Sequence, residues 1–251
     1  MLDIVIPVYN EGDNILRVLS SLQRDVRTPC KVFLCYDRED DDTLPAVRER
    51  WRGSLEVSFV RNRGRGPHAA VLSGFDAGKN PFVVAFMADD DYNAGVIDAM
   101  VARANDGCSL VSASRFVPGG SMVNCPPLKA VLVRTASFTL YHLARLPAHD
   151  ATNGFRLFSR KLLERVQVES THGFTYSLEL LAKCHRLGWP IGEVPTQWIE
   201  RTQGQSRFRI LTWLPHYLRW YGYAFATTYL RRGPETVAGP QVSRAAQAER
   251  R

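Results

Sequence analysis

The sequence predicts an α/β fold with a mostly parallel sheet and helices on both of its faces. Between residues 2 and 113, short apolar runs alternate with segments of helical spacing. This alternation is typical of βαβ units, which build parallel sheets. Polar clusters follow the ends of several apolar runs, and in such sheets ligands bind beyond the carboxyl ends of the strands. We therefore expect a nucleotide or phosphate site at one edge of the sheet.

The individual elements follow from the spacing of apolar residues and from turn residues between them. In the first half we predict strands at 2–9, 32–36, 55–60, 82–88 and 109–113. Helical spacing is found there at 13–24, 44–51, 68–77 and 96–105. In the second half we predict helices at 128–146 and 174–187, a short strand after the polar turn at 150–156, a strand at 191–199 and an aromatic helix at 213–230.

Length and composition suggest one large domain followed by two short segments. The chain has 251 residues, of which 45% are hydrophobic, so it can bury a substantial core. We expect a domain at 1–210 and an aromatic, amphipathic helical segment at 211–232. The last stretch, 233–251, is rich in Gly, Pro, Ala, Gln and charged residues, so we expect it to be disordered.

The charge and the cysteines limit the partners and the compartment. A net charge of +7 favours an anionic partner such as a nucleotide or a phospholipid. A nucleic-acid role is not expected, because no basic stripe with interleaved aromatic residues is present on a known module. The five cysteines are far apart and odd in number, which predicts reduced thiols in the cytoplasm. The N-terminus enters a strand directly, so no signal peptide is expected.

Three consecutive carboxylates, Asp89, Asp90 and Asp91, end the apolar run 82–88. If the strand continues through them, its alternation places Asp89 and Asp91 on one side and Asp90 on the other. Neighbouring carboxylates repel each other unless a proton or a cation lies between them. Hard oxygen ligands of this kind suit Mg2+ or Mn2+ that also binds phosphate. An acidic loop in water is the alternative, and the position after a buried strand favours a site.

Two further stretches leave alternatives open. The run Gly64-x-Gly66-x-x-Ala69 formally fits a dinucleotide fingerprint, so a nicotinamide-dependent oxidoreductase is a minor alternative, although a tight packing turn explains it equally well. The aromatic stretch 213–230 is about as long as a membrane span. Pro215 and Arg219 within it argue against spanning. It is either a helix lying in the membrane interface or one packed on the domain or a dimer partner.

Taken in order along the chain, the motifs resemble a known family. They are Ile4-x-x-Pro7-x-Tyr9-Asn10-Glu11, Cys35–Thr43, Asn62-x-Gly64-x-Gly66, Met87–Asp91, Ser114-Arg115-Phe116, Asp150–Arg156, Glu193-Val194-Pro195 and Arg201-x-x-Gly204-x-Ser206-Arg207. This series resembles the family 2 glycosyltransferases of GT-A fold, whose sheet is Rossmann-like. Within them it is most similar to the dolichol-phosphate mannose synthase-like, or polyprenyl-phosphate glycosyltransferase, branch. The Gln-x-x-Arg-Trp signature of processive synthases is absent, and Tyr36 stands where the family has an aspartate.

The resemblance implies roles for particular residues. The donor nucleotide would be bound by Pro7, Tyr9, Asn10, Glu11, Asp37, Asn62, Gly66, Asp89, Asp90, Arg201, Ser206 and Arg207. The metal would be held by Asp89, Asp91 and Asn93, and the acceptor phosphate by Arg115 and Arg134. The catalytic residues implied are Asp91, Arg115, Asp150 and Glu179.

The resemblance also implies a reaction. We expect inverting, Mg2+- or Mn2+-dependent transfer of a sugar from a GDP- or UDP-sugar to a polyprenyl (dolichyl or undecaprenyl) phosphate, with peripheral membrane contact and a possible homo-oligomer. An ionised phosphate acceptor needs no general base. The alternative is a saccharide or small-molecule hydroxyl acceptor, for which Glu179 or Asp150 would be the base. A binding module that keeps the fold without turnover is a further alternative.

Overall fold

The computed structural model describes residues 1–199 and 210–239, with only the backbone described for 210–213. The strands in these ranges are β1 (Leu2–Pro7), β2 (Cys30–Tyr36), β3 (Glu56–Arg61), β4 (Phe82–Ala85), β5 (Leu110–Ser114), β6 (Ser121–Val123), β7 (Arg156–Ser159), β8 (Ile191–Pro195) and β9 (Gln197–Ile199). The helices are α1 (Gly12–Asp25), α2 (Thr43–Arg50), α3 (Gly66–Ala77), α4 (Val96–Asn105), α5 (Pro127–Phe138), α6 (Arg160–Arg165), α7 (Thr175–Arg186) and α8 (Ile210–Tyr229), with a π-helical turn at Thr139–Leu143 and a 3-10 turn at Pro234–Thr236.

The predicted mostly parallel sheet is confirmed. Seven strands pair in the order β3-β2-β1-β4-β7-β5-β8, and only β7 runs antiparallel to its neighbours. The carboxyl ends of the six parallel strands therefore share one edge. Arg156, the first residue of β7, pairs with Ala85 and Ser112, so the loop that precedes β7 lies at this same edge.

The strand predicted at 191–199 is divided between two sheets. β8 stays in the main sheet as far as Pro195, which pairs with Ser114, and β9 then pairs with β6 in a separate two-stranded sheet. Proline has no N–H to donate to a ladder, so a strand ends or leaves its sheet there. As a result the chain crosses the carboxyl edge of the main sheet between β8 and β9.

Both faces of the sheet are covered, as expected of parallel strands. Ile4 and Ile6 of β1 are completely buried in one core, which includes apolar residues of α1, α2 and α4. Val5 between them is buried in the other core, against α3, α7 and α8. The alternation of side chains along a strand explains why neighbouring residues of β1 belong to different cores.

Two predicted elements end earlier than expected. β4 ends at Ala85, so Asp89, Asp90 and Asp91 belong to a loop. The predicted placement of Asp90 opposite its neighbours assumed a strand through residues 89–91, and this assumption is wrong. The helix predicted at 128–146 is α-helical only to Phe138 and then widens into the π-helical turn, where the Ala144 N–H donates to the Thr139 carbonyl.

The aromatic helix α8 packs on the domain. Trp220 is 1% exposed, and Ala224 beside it is completely buried against the core. Arg186 of α7 donates to the Tyr223 carbonyl at 2.7 Å and stacks on the Tyr223 ring. Val237, inside the segment predicted to be disordered, is also buried, so the compact part of the chain extends further than expected. None of the helices in the described ranges combines the length and apolar character needed to cross a membrane.

We predict that Gly74→Ala destabilises the protein by about 1–3 kcal/mol, because overpacking a core forces its neighbours to move. A Cβ at Gly74, on the face of α3 that contacts the sheet, would lie 2.3 Å from Val5 Cγ1 and 2.7 Å from Cys35 Sγ. Gly222 of α8 provides the matched control, since a Cβ there meets nothing within 4 Å. Gly222→Ala should leave stability unchanged or raise it, because alanine favours helix. Urea unfolding of both variants measures the difference, and equal effects would contradict the prediction.

Candidate active site at the carboxyl edge of the sheet

The loop after β1 is held in place by the loop after β2. The three consecutive backbone N–H groups of residues 10–12 have no partner within α1. They donate in turn to the carboxylate of Asp41 at 3.1 Å, the hydroxyl of Thr43 at 3.0 Å and the carboxylate of Asp42 at 3.0 Å. Asp41 is only 3% exposed, and no motif distinguishes it from the neighbouring aspartates in the sequence. Of the predicted donor residues, Pro7 ends β1, and Tyr9, Asn10 and Glu11 lie on the turn that these bonds hold in place.

Asp37, Asn62 and Gly66 are brought together from the ends of β2 and β3. The Asp37 carboxylate accepts from the Asn62 side-chain amide and from the Gly66 N–H, the latter at 2.8 Å. Asn62 also donates to the Gly66 carbonyl at 3.1 Å. Gly66 has a φ of +78°, which favours glycine. These contacts explain the Gly-x-Gly run as a tight turn that begins α3.

In the acidic loop after β4, half-buried Asp90 and buried Asn93 form a hydrogen-bonded bracket. Asp90 accepts from the Asn93 N–H at 3.0 Å and from its side-chain amide at 2.8 Å. Burial raises the pKa of Asp90 more than these hydrogen bonds lower it. The Asn93 side-chain oxygen accepts from the Thr196 hydroxyl at 3.0 Å and the Gln197 N–H at 3.4 Å. The prediction of Asn93 as a metal ligand is therefore corrected: its oxygen is occupied by the segment between β8 and β9.

Asp89 and Asp91 are half-buried on the same loop, and Asp91 Oδ2 lies 3.5 Å from Arg17 Nε. Within residues 1–199 and 210–239, no group of three or more His, Cys, Asp or Glu side chains is arranged to hold a metal ion. Mg2+ typically takes only one or two protein carboxylates and completes its shell with water and substrate phosphates. The two carboxylates fit such a shared ion.

Asp150, in the loop before β7, forms a buried ion pair with Arg115. Its carboxylate accepts from Arg115 Nε at 2.6 Å, from Arg115 Nη2 at 2.8 Å and from the Arg115 backbone N–H at 3.0 Å. Asp150 is completely buried and Arg115 is 9% exposed. Burial alone would raise the pKa of Asp150, but the hydrogen bonds and charge of Arg115, with the charge of Arg156, outweigh it and lower the pKa. The pair therefore stays charged.

The two residues predicted as possible general bases are not available to an acceptor. Asp150 is completely enclosed by its partners, and its lowered pKa weakens it as a base. Glu179 is completely buried in α7, where it accepts from the backbone N–H groups of Glu169 at 2.7 Å and Ser170 at 2.8 Å. Lys183 donates to the same carboxylate at 2.7 Å. Both predictions are corrected: these carboxylates organise loops and hold cations.

A group of three cations surrounds two aromatic rings next to the ion pair. Arg115 lies 5.4 Å from the centre of the Phe116 ring and 5.6 Å from that of Trp198. Arg134 of α5 lies 5.1 Å from the Phe116 ring, and Lys129 lies 4.0 Å from the Trp198 ring. We call these five residues the cation–aromatic cluster. Arg115 and Arg134 were predicted to act together. Lys129 and Trp198 were missed, because a single tryptophan or helical lysine carries no motif.

The segment from β8 to β9 connects the two halves of the site. Glu193 accepts from the His149 N–H at 2.9 Å and so fixes the start of the Asp150 loop. Thr196 and Gln197 hold Asn93, and the next residue is Trp198 of the cation–aromatic cluster. The acidic loop and the cations are thus joined through a few consecutive residues. The predicted donor residues Arg201, Ser206 and Arg207 lie outside the described residues.

Residues 3–167 match the sequence profile of Glycosyl transferase family 2. The chain belongs to this family. It is 30% identical over 204 residues to a dolichyl-phosphate hexose transferase of Haloferax volcanii, which covers 80% of this chain and 83% of the relative. It is 26% identical over 211 residues to a polyprenol monophosphomannose synthase of Mycolicibacterium smegmatis, covering 81% of this chain and 79% of the relative.

Solved structures confirm the GT-A fold. Glucosyl-3-phosphoglycerate synthase from Mycobacterium tuberculosis, in complex with Mn2+, UDP and glucosyl-3-phosphoglycerate, superimposes with a TM-score of 0.62 at 17% identity. The likeness covers 92% of this chain and 80% of that one. The predicted class of enzyme, a glycosyltransferase, is therefore confirmed. The nicotinamide alternative is wrong, since the Gly-x-Gly turn belongs to a glycosyltransferase.

We predict that Asp150→Asn lowers the free energy of unfolding by about 3 kcal/mol or more, because it leaves a buried guanidinium without its counter-charge. In the wild type, the lowered pKa of Asp150 means that this stabilisation is present above about pH 4, the range of an unfolded aspartate, and is lost as the pH falls below it.

Asp76→Asn is the matched control for this variant, since Asp76 pairs with Arg63 at 3.0 Å on the surface, with side chains 61% and 75% exposed. Exposed pairs contribute little, so this variant should unfold like the wild type. Denaturant unfolding at pH 7 compares the three proteins. Equal losses of unfolding free energy in both variants would show that the buried Asp150 pair stabilises the protein no more than an exposed pair does.

Proposed function

We propose that this glycosyltransferase moves a sugar, with inversion, from a GDP- or UDP-sugar to a polyprenyl phosphate, using Mg2+ or Mn2+. The observation that carries the proposal is the connection between two parts of the site. The loop of Asp89 and Asp91 is joined through Asn93 and Thr196 to the cation–aromatic cluster. One part suits a metal-bound diphosphate and the other suits an anionic acceptor. The names of the two relatives, both enzymes of polyprenyl-phosphate sugar transfer, support this proposal.

The donor would lie along the ends of β1 to β4. Asp37 and Asn62, with the braced turn that carries Glu11, would bind the nucleoside. Asp89 and Asp91 would hold the divalent ion, which when bound neutralises negative charge that develops on the leaving nucleotide. Asp90 would act on the loop through Asn93 rather than on the ion. Arg201, Ser206 and Arg207 remain predicted donor contacts.

The cations of the cluster and the burial of the two predicted bases bear on the class of acceptor. A phosphate acceptor is already ionised at neutral pH, so it needs cations and no general base. Arg115 is held by Asp150 with bidentate geometry, and Arg134 approaches the same Phe116 ring from α5. A hydroxyl acceptor would need a base, and both predicted bases are buried and paired. These observations favour a phosphate acceptor over the saccharide or small-molecule hydroxyl alternative.

The first experiment is calorimetric titration with UDP and with GDP, each in the presence of Mn2+ and of EDTA. We expect micromolar binding of one nucleotide that is lost with EDTA, because the diphosphate and the two carboxylates share the ion. Transfer assays with polyprenyl phosphates and with uncharged sugar acceptors follow. Transfer to a sugar hydroxyl alone would contradict the proposed acceptor, and nucleotide binding without turnover to any acceptor would indicate a binding module.

We predict that Asp91→Asn lowers kcat/KM by about 100-fold or more and weakens the dependence on Mn2+, since a direct ligand is lost. Asp90→Asn keeps one acceptor oxygen for the Asn93 N–H but loses the second carboxylate oxygen, which accepts from the Asn93 side-chain amide, so it should lower thermal stability. Because Asp90 is not expected to hold the ion, this variant should reduce activity much less than Asp91→Asn. Steady-state rates over a range of Mn2+ concentrations distinguish the two. Losses of equal size, with equal shifts in metal dependence, would refute this division of roles.

We predict that Arg134→Ala raises KM for the polyprenyl phosphate about tenfold while KM for the nucleotide sugar stays unchanged, because a charge-assisted contact to the acceptor is removed. Arg52→Ala, which removes an exposed arginine in the segment before β3, is the control and should change neither constant. A rise in KM for the nucleotide sugar with Arg134→Ala would contradict the prediction, because it would show that Arg134 contacts the donor.

A further inference from the structure

The outer side of α5 is a continuous apolar stripe. Leu128 is 72% exposed, Val131 60%, Leu132 52% and Phe138 59%. These positions recur at the spacing that places residues on one side of a helix. On the inner side, Ser137 is 1% exposed, which shows how the helix is oriented. Single exposed apolar residues are ordinary, whereas a stripe of large ones on one helix indicates a surface that is covered in use.

The stripe continues onto α8 beyond the π-helical turn. The Tyr221 hydroxyl of α8 donates to Thr139, the residue that follows α5, at 2.6 Å. Leu218, one turn earlier on α8, is 55% exposed, and Leu143 of the π-helical turn is 46% exposed. The inner aromatic residues of α8 are buried against α7, so only its outer residues extend the stripe. We call the exposed residues of α5, the π-helical turn and α8 the apolar face.

On α5 and the π-helical turn the charge is of one sign, while on α8 Arg219 is paired with Glu169 at 3.0 Å. From residue 107 to residue 149 the sequence contains no Asp or Glu, and the same holds from 210 to 232. Arg134 and Arg145 are exposed on the α5 side, and Arg231 and Arg232 are exposed after α8. A second copy of this chain would bring the same cations face to face, since a two-fold interface joins a patch to itself. An anionic surface meets no such repulsion.

We propose that the apolar face docks onto an anionic lipid bilayer, with α5 lying in the plane of the interface. Apolar stripes bordered by Arg and Lys bind membranes in this way. The inference rests on the proposed lipid-phosphate acceptor and adds the surface by which the enzyme reaches it. Lys129 and Arg134 belong both to α5 and to the cation–aromatic cluster. Docking through α5 would therefore bring the cluster to the level of the lipid headgroups.

Vesicle flotation of the full chain tests the proposal. We expect binding to vesicles of phosphatidylcholine mixed with phosphatidylglycerol, and weaker binding to phosphatidylcholine alone, because the face carries both apolar and cationic residues. Leu128→Ser combined with Leu132→Ser should lower the partition coefficient about tenfold or more, since two apolar contacts with the bilayer are lost. Both side chains are exposed, so thermal unfolding should stay unchanged.

A matched pair of arginine variants tests the electrostatic part. Arg145→Gln removes a charge beside the apolar face and should weaken binding to the anionic vesicles about fivefold. Arg52→Gln removes an equally exposed arginine between α2 and the edge strand β3, far along the sheet, and should leave binding unchanged. Equal losses in both variants would show that only the net charge matters and would overturn the assignment of this face.

Activity measurements separate a failure of this inference from a failure of the proposed function. The double leucine variant should keep its nucleotide affinity and its rate with a short, water-soluble polyprenyl phosphate, while KM for the vesicle-borne acceptor rises. Wild-type transfer to the soluble acceptor without vesicle binding would overturn the docking and leave the reaction standing. Vesicle binding without transfer to any acceptor would support the docking and contradict the proposed reaction. A wild-type dimer that the leucine variant dissociates, with no vesicle binding, would show instead that the face joins two copies.

Discussion

The buried pair of Asp150 and Arg115 is the interaction on which the proposed acceptor half of the site depends. A completely buried carboxylate is costly unless charge and hydrogen bonds compensate it, and here a guanidinium and a backbone N–H do so. The pair fixes the arginine between the rings of Phe116 and Trp198. It also fixes the loop before β7, the one antiparallel strand of the main sheet. The cation is thereby positioned before any substrate arrives.

The proposed donor half depends on a different kind of interaction, in which loops satisfy each other's backbone hydrogen-bonding groups. Asp41 and Asp42, from the loop after β2, accept from the turn after β1. Asn93 ties the acidic loop to the segment between β8 and β9. Since Trp198 follows in that segment, the acidic loop proposed to hold the metal ion is connected through a few residues to the cation–aromatic cluster. This connection gives a physical reason for donor and acceptor to be bound in a defined relative geometry.

Negative and positive charges lie on different parts of the molecule. The carboxylates gather at the ends of β1 to β4, where a cation and a nucleotide would bind. The stretch from 107 to 149, which has no acidic residue, includes β5 and α5, and it carries the cations of the proposed acceptor side. The apolar face lies on that same stretch. A reaction between a soluble, metal-bound donor and a lipid-borne phosphate would use this separation, since each substrate would approach through a surface suited to it.

The sequence by itself determined the α/β class, the parallel order of the first half and the edge at which the polar clusters meet, because apolar periodicity and strand-end positions are local signals. It also brought together Asp37, Asn62 and Gly66 correctly. Only the tertiary structure decided which carboxylates are open to a ligand: Asp150 and Glu179 are polar in the sequence and enclosed in the fold. The bracket of Asn93, the approach of Trp198 and the packing of α8 were likewise decided by contacts between distant segments. Burial and pairing arise from such contacts, and no single segment encodes them.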